Sequence, residues 1–324
     1  MPRLTPLLTA GLVTACNSST SPKSTASPTH PTAATIYHTD SLGTRAYPLA
    51  ATSSGTVLVG LPDSNRVARL TLPYVDTLTL LAVGAIPVDI SFDASQAHAF
   101  ITNELSDQVI EMDVASGAHI GTIATTGDPF ASVLSADGAT LYIATNTNFV
   151  YAVPLATPTT FESMQVDSAV GGAPNFMVLS PDGSTLYVST RTGGTIVAID
   201  TRTFTVSRTL SGGGLMQQAV VSPDGGTVYA VNENGNLYVW TGQSSAPTQT
   251  IPLGGQAWAL AMTPDARQMY VSLLNTGQVL VVDRGSLSIV ATIPTGGVPR
   301  RIAFTEQGKV AIVANEAGYI SFIN

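Results

Sequence analysis

The sequence predicts an all-β protein, a seven-bladed β-propeller of four-stranded antiparallel blades that is closed by an N-terminal strand completing the last blade. Three observations lead to this prediction. A short motif recurs seven times at intervals of about 39 to 45 residues. Only 10% of the residues are charged, and no stretch has a helical hydrophobic period. The chain ends one strand short of a complete final blade, whereas a lone strand precedes the first blade.

The repeated motif pairs a hydroxyl residue with an Asp-Gly turn. An apolar strand ends in Ser or Thr, the turn follows two residues later, and a second apolar strand comes next. Gly accepts the left-handed backbone that such hairpin turns require. Blades one, seven and two depart from the pattern with Ser54, Gln307 and Ala94. We read the hydroxyl at Thr52, Ser91, Ser135, Ser180, Ser222, Thr263 and Thr305, and the turn position at Ser54, Asp93, Asp137, Asp182, Asp224, Asp265 and Gln307.

Blade five shows how one copy divides into strands. The pattern predicts an innermost strand over 218–222, a second over 228–232, a third over 236–240 and an outermost one over 248–253. The turn aspartates are interpreted as structural groups that cap these hairpins and face solvent.

The innermost strands are apolar or small on both faces. A lone antiparallel sheet alternates apolar with polar residues, so this double burial predicts that each blade is packed between two others in a ring. Asp89 is the exception, because the six residues read as its equivalents are Ala or Val. A buried carboxylate needs a partner or its pKa rises. We therefore expect Asp89 to pair with a neighbouring Arg or Ser.

The two ends of the chain predict how the ring closes. Blade seven stops at its third strand, over 319–324, while residues 35–39 have no inner strands of their own. Pairing these two segments removes two open sheet edges at once.

The first residues predict export and lipidation. A short positive start and an apolar run too short to span a bilayer end in Leu-Val-Thr-Ala-Cys, which resembles the bacterial lipobox. The expected division is a signal peptide over 1–15, a lipidated Cys16 with a disordered Ser/Thr/Pro-rich tether over 16–34, and the propeller over 35–324. His30 is expected to be solvated within the tether. Because Asn17 replaces the Asp that retains many lipoproteins at the inner membrane, the analogy implies the outer membrane of a bacterial cell envelope, on its periplasmic or outer surface.

Charge and side-chain inventory argue against several functions. The formal charge is −8 and the basic residues are scattered, which disfavours a nucleic-acid partner. The four histidines, His30, His38, His98 and His119, are too dispersed for a metal site. Cys16 is the only cysteine, so the folded domain has no thiol nucleophile and no haem attachment motif. The sequence therefore predicts no catalytic residue, no metal and no cofactor.

The repeats resemble the YVTN β-propeller repeat family. The resemblance is carried by Phe100-Ile101-Thr102-Asn103, by the similar stretch over 229–232, by the Ser-Pro-Asp-Gly turns and by the Thr-Ile-Pro-x-Gly-Gly run at 292–297. It extends over everything beyond the tether. It implies the fold and an envelope or surface location, while related propellers include lactonases and electron-transfer subunits.

Fold-level analogy places a ligand where the connections between blades and the loops after the second strands surround the channel. Trp258 and Tyr47 can stack on a sugar or peptide ring, or plug the channel instead. Arg300 and Arg301 are adjacent on a strand, so we expect their side chains to point in opposite directions and only one of them to reach the mouth of the channel. We also expect both to form salt bridges. The candidates are Arg45, Tyr47, Phe130, Asn175, Phe176, Gln217, Trp258, Arg300 and Arg301 from the connections, Asn103, Glu104, Asn146, Arg191, Asn232, Glu233, Asn315 and Glu316 from the loops, and Asp89.

These observations favour a lipid-anchored, non-enzymatic binding or scaffolding module that presents its mouth to a protein, peptide or glycan and touches the membrane only through its anchor. A lactonase-like hydrolase is the alternative, and clustering of Asp89, Glu104, Glu233 and Arg300 in one cavity would favour it. An accessory subunit of a periplasmic oxidoreductase leaves no recognisable mark in the sequence.

Overall fold

The computed structural model describes residues 30–31, 33–72, 74–158, 162–165 and 172–324 and has the predicted all-β architecture. Seven four-stranded antiparallel sheets form the blades of a β-propeller. Short 3₁₀ turns at Pro62–Ser64, Glu104–Ser106 and Glu306–Gly308 interrupt the loops. Over these ranges, no helix has the length and hydropathy to cross a membrane. The predicted signal peptide, Cys16 and most of the tether lie outside the described residues.

The strands follow one another from the channel outwards in blades one to six. Blades one to three consist of β2 (Leu49–Ala51), β3 (Thr56–Leu61), β4 (Arg66–Thr71) and β5 (Tyr74–Ala82), then β6 (Pro87–Phe92), β7 (His98–Asn103), β8 (Gln108–Asp113) and β9 (His119–Ala124), then β10 (Pro129–Leu134), β11 (Thr140–Thr145), β12 (Phe149–Pro154) and β13 (Glu162–Gln165), all preceded by β1 (Ile36–Ser41).

Blades four to six consist of β14 (Pro174–Leu179), β15 (Thr185–Thr190), β16 (Thr195–Asp200) and β17 (Thr205–Ser211), then β18 (Met216–Val221), β19 (Thr227–Asn232), β20 (Asn236–Thr241) and β21 (Gln249–Pro252), then β22 (Ala257–Met262), β23 (Gln268–Leu273), β24 (Gln278–Asp283) and β25 (Ile289–Pro294). Blade seven consists of β26 (Pro299–Thr305), β27 (Val310–Asn315), β28 (Tyr319–Ile323) and β1. The strands predicted for blade five are confirmed with small shifts at their ends.

The predicted pairing of the N-terminal strand with the C-terminal strand is confirmed, and it closes the ring. Strand β1 pairs antiparallel with β28, from Ile36 opposite Ile323 to Ser41 opposite Tyr319. The N–H of Ala33 donates to the carbonyl of Asn324 over 3.0 Å and extends this pairing. The last blade thus has four strands, and neither chain end leaves an unpaired inner edge.

Burial along the second strands confirms that each blade is packed between two others. In every blade from one to six the second strand is buried at all positions but its first, and β27 of blade seven is buried throughout. Strands with one face in water would show an alternation of buried and exposed residues. The outermost strands instead expose Leu80, Ile120 and Val290, because they form the rim of the ring.

The hydroxyl and the aspartate of the motif form one hydrogen-bonded unit. In blade four, Ser180 Oγ donates to Asp182 Oδ1 over 2.6 Å and accepts the N–H of Thr185 over 2.9 Å. The carboxylate also accepts the N–H of Ser184. These bonds, that of Ser180 first, hold the pKa of Asp182 below its usual value. Blades three, five and six repeat the unit with Ser135 and Asp137, Ser222 and Asp224, and Thr263 and Asp265.

In blade two the sequence reading was wrong by two residues. Asp93 takes the place of the hydroxyl residue and accepts the N–H of His98 over 2.8 Å, while Ser95 takes the place of the aspartate and donates to Asp93. Gln96 then occupies, with φ of 59°, the left-handed position that Gly fills in blades three, four and five and Ala266 fills in blade six. The stretch Ser-Phe-Asp-Ala-Ser-Gln satisfies the spacing in either order, and the swapped order also stabilises the hairpin. Its consequence is that Asp89 is equivalent to Arg301 of blade seven, not to the Ala and Val residues.

Strand direction divides the loops between two faces. Loops from a first to a second strand and from a third to a fourth lie on one face, named here the turn face. Loops from a second to a third strand and connections between blades lie on the other, named the loop face.

The chain enters the ring on the turn face. His30 was expected to be solvated, but its Nδ1 lies 2.6 Å from Asp265 Oδ2 in the blade six turn. This hydrogen bond ties the start of the described chain to blade six, because Asp265 is already held by its own hairpin.

Candidate ligand-binding site

A cavity of about 200 Å³ opens on the loop face beside the channel. Most of its lining residues belong to two sets of equivalent positions, each with one member per blade, and Arg45 and Ile86 come from the connections between blades. The inner ring surrounds the channel and consists of Tyr47, Val88, Phe130, Asn175, Gln217, Trp258 and Arg300. The loop ring follows the second strands and consists of Pro62, Glu104, Asn146, Arg191, Glu233, Leu274 and Glu316. The cavity is lined by Arg45, Tyr47, Pro62, Ile86, Val88, Glu104, Phe130, Trp258, Arg300 and Glu316.

Aromatic side chains fill the channel beneath this cavity. The ring centroids of Tyr47 and Trp258 are 6.3 Å apart, those of Phe176 and Trp258 are 6.0 Å apart, and those of Phe130 and Phe176 are 6.2 Å apart, all edge-on. Tyr47, Phe176 and Trp258 are buried. The plug expected as one role of these aromatics is confirmed, and its upper surface is the floor of the cavity.

Two adjacent arginines lie on the same side of their strand, contrary to the expectation of opposite directions. The pairing of β26 with β27 shifts between Pro299 and Arg301, which marks a β-bulge. A bulge re-aims side chains that regular alternation would separate. The guanidinium carbon of Arg300 lies 4.2 Å from the Trp258 ring centroid, and that of Arg301 lies 4.3 Å from Phe176. Arg300 lines the cavity, whereas Arg301 is buried below it.

Both arginines form the expected salt bridges. Arg300 Nε lies 3.0 Å from Glu316 Oε1, within the same blade. Arg301 donates to Asp89 Oδ1 over 2.7 Å, and the other oxygen of Asp89 accepts the N–H of Ser132 over 3.0 Å. The Arg301–Asp89 pair joins blades seven and two, which lie on either side of blade one. Burial raises the pKa of Asp89, an effect that Arg301 partly offsets.

Two donors on side chains that line the cavity have no hydrogen-bond partner among the described residues. They are the Tyr47 hydroxyl and the indole N–H of Trp258, on side chains that are each 8% exposed. Burial raises the pKa of Tyr47 to about 12, so its hydroxyl keeps its proton and can donate. Buried donors are normally paired, so these two need an acceptor that the described residues do not supply.

Glu104 supplies an acceptor on the opposite wall. Its Oε1 accepts from Asn146 Nδ2 over 2.9 Å, and within the described part of the chain no cation lies in salt-bridge contact with it. Burial first, and then the negative charge of Asp128, raises the pKa of Glu104. Lone pairs of this carboxylate therefore remain unused at the cavity wall.

On the loop face of blades four and five, the polar side chains bond to one another. Arg191 lies 2.7 Å from Glu233, Gln217 donates to Glu233 over 2.5 Å, and Asn175 donates to Gln217 over 2.8 Å. These four sequence candidates form one network among themselves, and none lines the cavity.

The candidate asparagines that end second strands are buried and bonded to the backbone. Asn232 donates to the carbonyl of Gly213 and Asn315 to that of Gly296, each over 2.9 Å. Asn103 donates to the carbonyl of Ile101 over 2.8 Å. Asn232 and Asn315 thus hold the connections that lead into their blades, and Asn103 bonds within its own strand. None of the three lines the cavity.

The sequence candidates contain all of the charged and aromatic lining residues and miss the apolar ones. Pro62, Ile86 and Val88 were not singled out. The signal for Val88 was its inner-ring position, which the shifted reading of blade two concealed. Pro62 is the blade one member of the loop ring and was identifiable by the same spacing.

Elsewhere in the described part of the chain, acidic and histidine side chains meet in pairs. Among the described residues, no group of three His, Cys, Asp or Glu side chains is placed to hold a metal ion. His98 lies 2.7 Å from Glu111 and His38 lies 2.7 Å from Asp40, in pairs remote from each other along the chain. His119 bonds within its own strand.

The fold is similar to that of a solved chain from Kuenenia stuttgartiensis Hydrazine Synthase. The TM-score is 0.73, and the match covers 88% of this chain and 96% of that chain at 19% sequence identity. At that identity the likeness shows the fold alone. No family model matches the chain, and no curated protein does.

Proposed function

We propose that this protein is a non-enzymatic binding or scaffolding propeller of the bacterial cell envelope, anchored by lipid and engaging its partner at the loop-face cavity. The observation that carries the proposal is the cavity itself. It combines buried aromatic side chains with two unpartnered donors, Tyr47 Oη and Trp258 Nε1, and with the charged groups of Arg300 and Glu104. Mostly apolar walls with a few convergent polar groups are typical of binding sites.

The placement of the acidic groups supports binding over hydrolysis. Only Glu104 and Arg300 of the four residues considered for an enzyme line the cavity. Asp89 is bonded to Arg301 below it, and Glu233 is bonded to Arg191 and Gln217 in blades four and five. A hydrolase needs an acid–base pair with access to one substrate atom. These residues do not supply such a pair.

The lipid anchor and the YVTN-type resemblance rest on the sequence motifs. The Leu-Val-Thr-Ala-Cys stretch supports modification of Cys16, and the outer membrane remains the proposed location. Replacing Cys16 with Ala should move the protein from the detergent-soluble membrane fraction to the aqueous fraction and abolish incorporation of labelled fatty acid. Unchanged fractionation and labelling would contradict the anchor.

The binding site is tested by affinity capture from envelope extract with the chain from residue 17 onwards, since the closed ring lies within residues 33–324. Arg300→Ala is compared with Arg191→Ala, a matched control because both arginines are ion-paired on the loop face. We expect Arg300→Ala to lower recovery of the captured partner at least about fivefold, the worth of one charge-assisted contact, and Arg191→Ala to leave it unchanged. Equal recovery with both variants would argue against a site at this cavity.

A further inference from the structure

The polar groups around the cavity include both donors and acceptors. The unpartnered Tyr47 hydroxyl and Trp258 N–H need an acceptor from the ligand. Glu104, which accepts one bond from Asn146, needs a donor. A ligand that satisfies all three must carry groups that both give and receive hydrogen bonds, and a hydroxyl is such a group.

The formal charges around the cavity cancel. Arg45 and Arg300 are balanced by Glu104 and Glu316, and Arg45 and Arg300 already have carboxylate partners, at 3.1 Å from Asp63 and 3.0 Å from Glu316. An anionic ligand would have to compete with these carboxylates for an arginine, whereas Glu104 has no salt-bridge partner among the described residues and is left for a hydrogen-bond donor. The balance therefore favours a neutral ligand.

The remaining walls are apolar and the space is small. Ile86, Val88 and Phe130 form one side. A volume of about 200 Å³ is below the roughly 300 Å³ at which pockets for drug-sized ligands begin. The space suits a single ring with C–H groups on its faces and hydroxyls at its edge.

We propose that the cavity binds a neutral sugar residue in its pyranose form, such as the end of a glycan chain. This inference deepens the proposed function and rests on it. The apolar wall contacts the C–H face of the ring. Tyr47 and Trp258 donate to ring hydroxyl oxygens, and Glu104 accepts from one hydroxyl. A peptide carboxylate would have to displace Glu316 or Asp63 from its arginine.

The test measures binding of methyl glycosides of glucose, galactose and N-acetylglucosamine to the chain from residue 17 onwards by saturation-transfer NMR and tryptophan fluorescence. Glucuronate and glucosamine are the charged comparators. We expect saturable binding of at least one neutral glycoside in the millimolar range, as befits so few ligand atoms, and weaker binding of both charged sugars.

Tyr47→Phe removes one cavity donor and no protein hydrogen bond, so the ring should stay folded. Its matched control is Tyr270→Phe, because the Tyr270 hydroxyl is also buried without a partner among the described residues and that residue does not line the cavity. We expect Tyr47→Phe to weaken glycoside binding about three- to tenfold, the worth of one hydrogen bond, and Tyr270→Phe to leave it unchanged.

Three results would overturn the sugar proposal. The first is that no neutral glycoside binds the folded protein at about 50 mM, a concentration more than tenfold above the expected dissociation constant. The others are that the charged sugars bind as well as the neutral ones, or that the two tyrosine variants bind glycosides equally well. If partner capture still depends on Arg300 in any of these cases, the binding function stands and only the ligand class is wrong. If capture is also independent of Arg300, both proposals fail.

Discussion

The loop face has two dissimilar halves built on equivalent positions. On the side of blades seven, one and two the inner ring carries Arg300, Tyr47 and Val88, and a cavity remains between them. On the side of blades four and five it carries Asn175 and Gln217, whose amides bond to each other and to Glu233. The same backbone thus gives an open site where donors lack partners and a closed surface where amides satisfy their neighbours. Side chains at two rings of positions decide which half can bind.

The largest expected effect comes from removing the strand that closes the ring on the cavity side. Deleting residues 33–41 exposes the edge of β28 and removes the pairing from Ile36 to Ser41. Loss of several ladder bonds at about 1 kcal/mol each should lower the melting temperature by about 10 °C or more, measured by calorimetry. An unchanged melting temperature would refute this closure. Deleting residues 17–29, before the described ring contacts begin, is the control and should have no such effect.

The ion pair below the cavity should be the next most sensitive feature. Asp89→Ala leaves the buried guanidinium of Arg301 without its carboxylate. Removing one partner of a buried pair typically costs about 3 to 5 kcal/mol, measurable by urea unfolding. The double variant Asp89→Leu with Arg301→Met should recover most of that loss, because it removes both charges. A double variant as unstable as Asp89→Ala would show that the pair is not the cause.

One substitution in each half of the loop face separates stability from ligand binding. Gln217→Ala leaves Asn175 and Glu233 without a shared partner and should lower the free energy of unfolding by about 2 kcal/mol, with no effect on ligand binding. Glu104→Gln keeps the acceptor for Asn146, so it should change the free energy of unfolding by no more than about 0.5 kcal/mol while weakening ligand binding. Unfolding curves and glycoside titrations on both variants provide the measurement. The reverse pattern would exchange the roles of the two halves.

The smallest effect concerns the repeated hairpins, which both halves share. Ser222→Ala removes a donor to Asp224 and an acceptor for the N–H of Thr227, which should cost about 1 kcal/mol. Bonds led by that of Ser222 hold the pKa of Asp224 below its ordinary value of 3.8. The stability from this lowered pKa is present above pH 3.8 and is lost as the pH falls through the folded-state pKa. Wild type should therefore lose stability more steeply than Ser222→Ala below about pH 4, monitored by circular dichroism. Parallel acid curves would contradict this link.

The sequence predicted the seven blades, their strands and the closing strand because the turn motif and double burial leave marks at fixed spacing. It could not decide which motif positions Asp93 and Ser95 take, since the hydroxyl and the carboxylate stabilise the hairpin in either order and both orders fit the spacing. That ambiguity hid the equivalence of Asp89 and Arg301. It also could not predict the bulge before Arg301, because a bulge depends on how two strands pair. The polar and aromatic cavity residues were predictable from loop position, whereas the choice of an open or closed half depends on side-chain bonds that span blades.

The hydrogen bond of His30 with Asp265 has a practical consequence for handling the protein. It brings the chain into the ring at the turn face, and the cavity opens at the other pole. Attaching the protein to a bead, chip or bilayer through a group ahead of His30 therefore leaves the opening uncovered, and a C-terminal tag would extend from Asn324 on that same attached side.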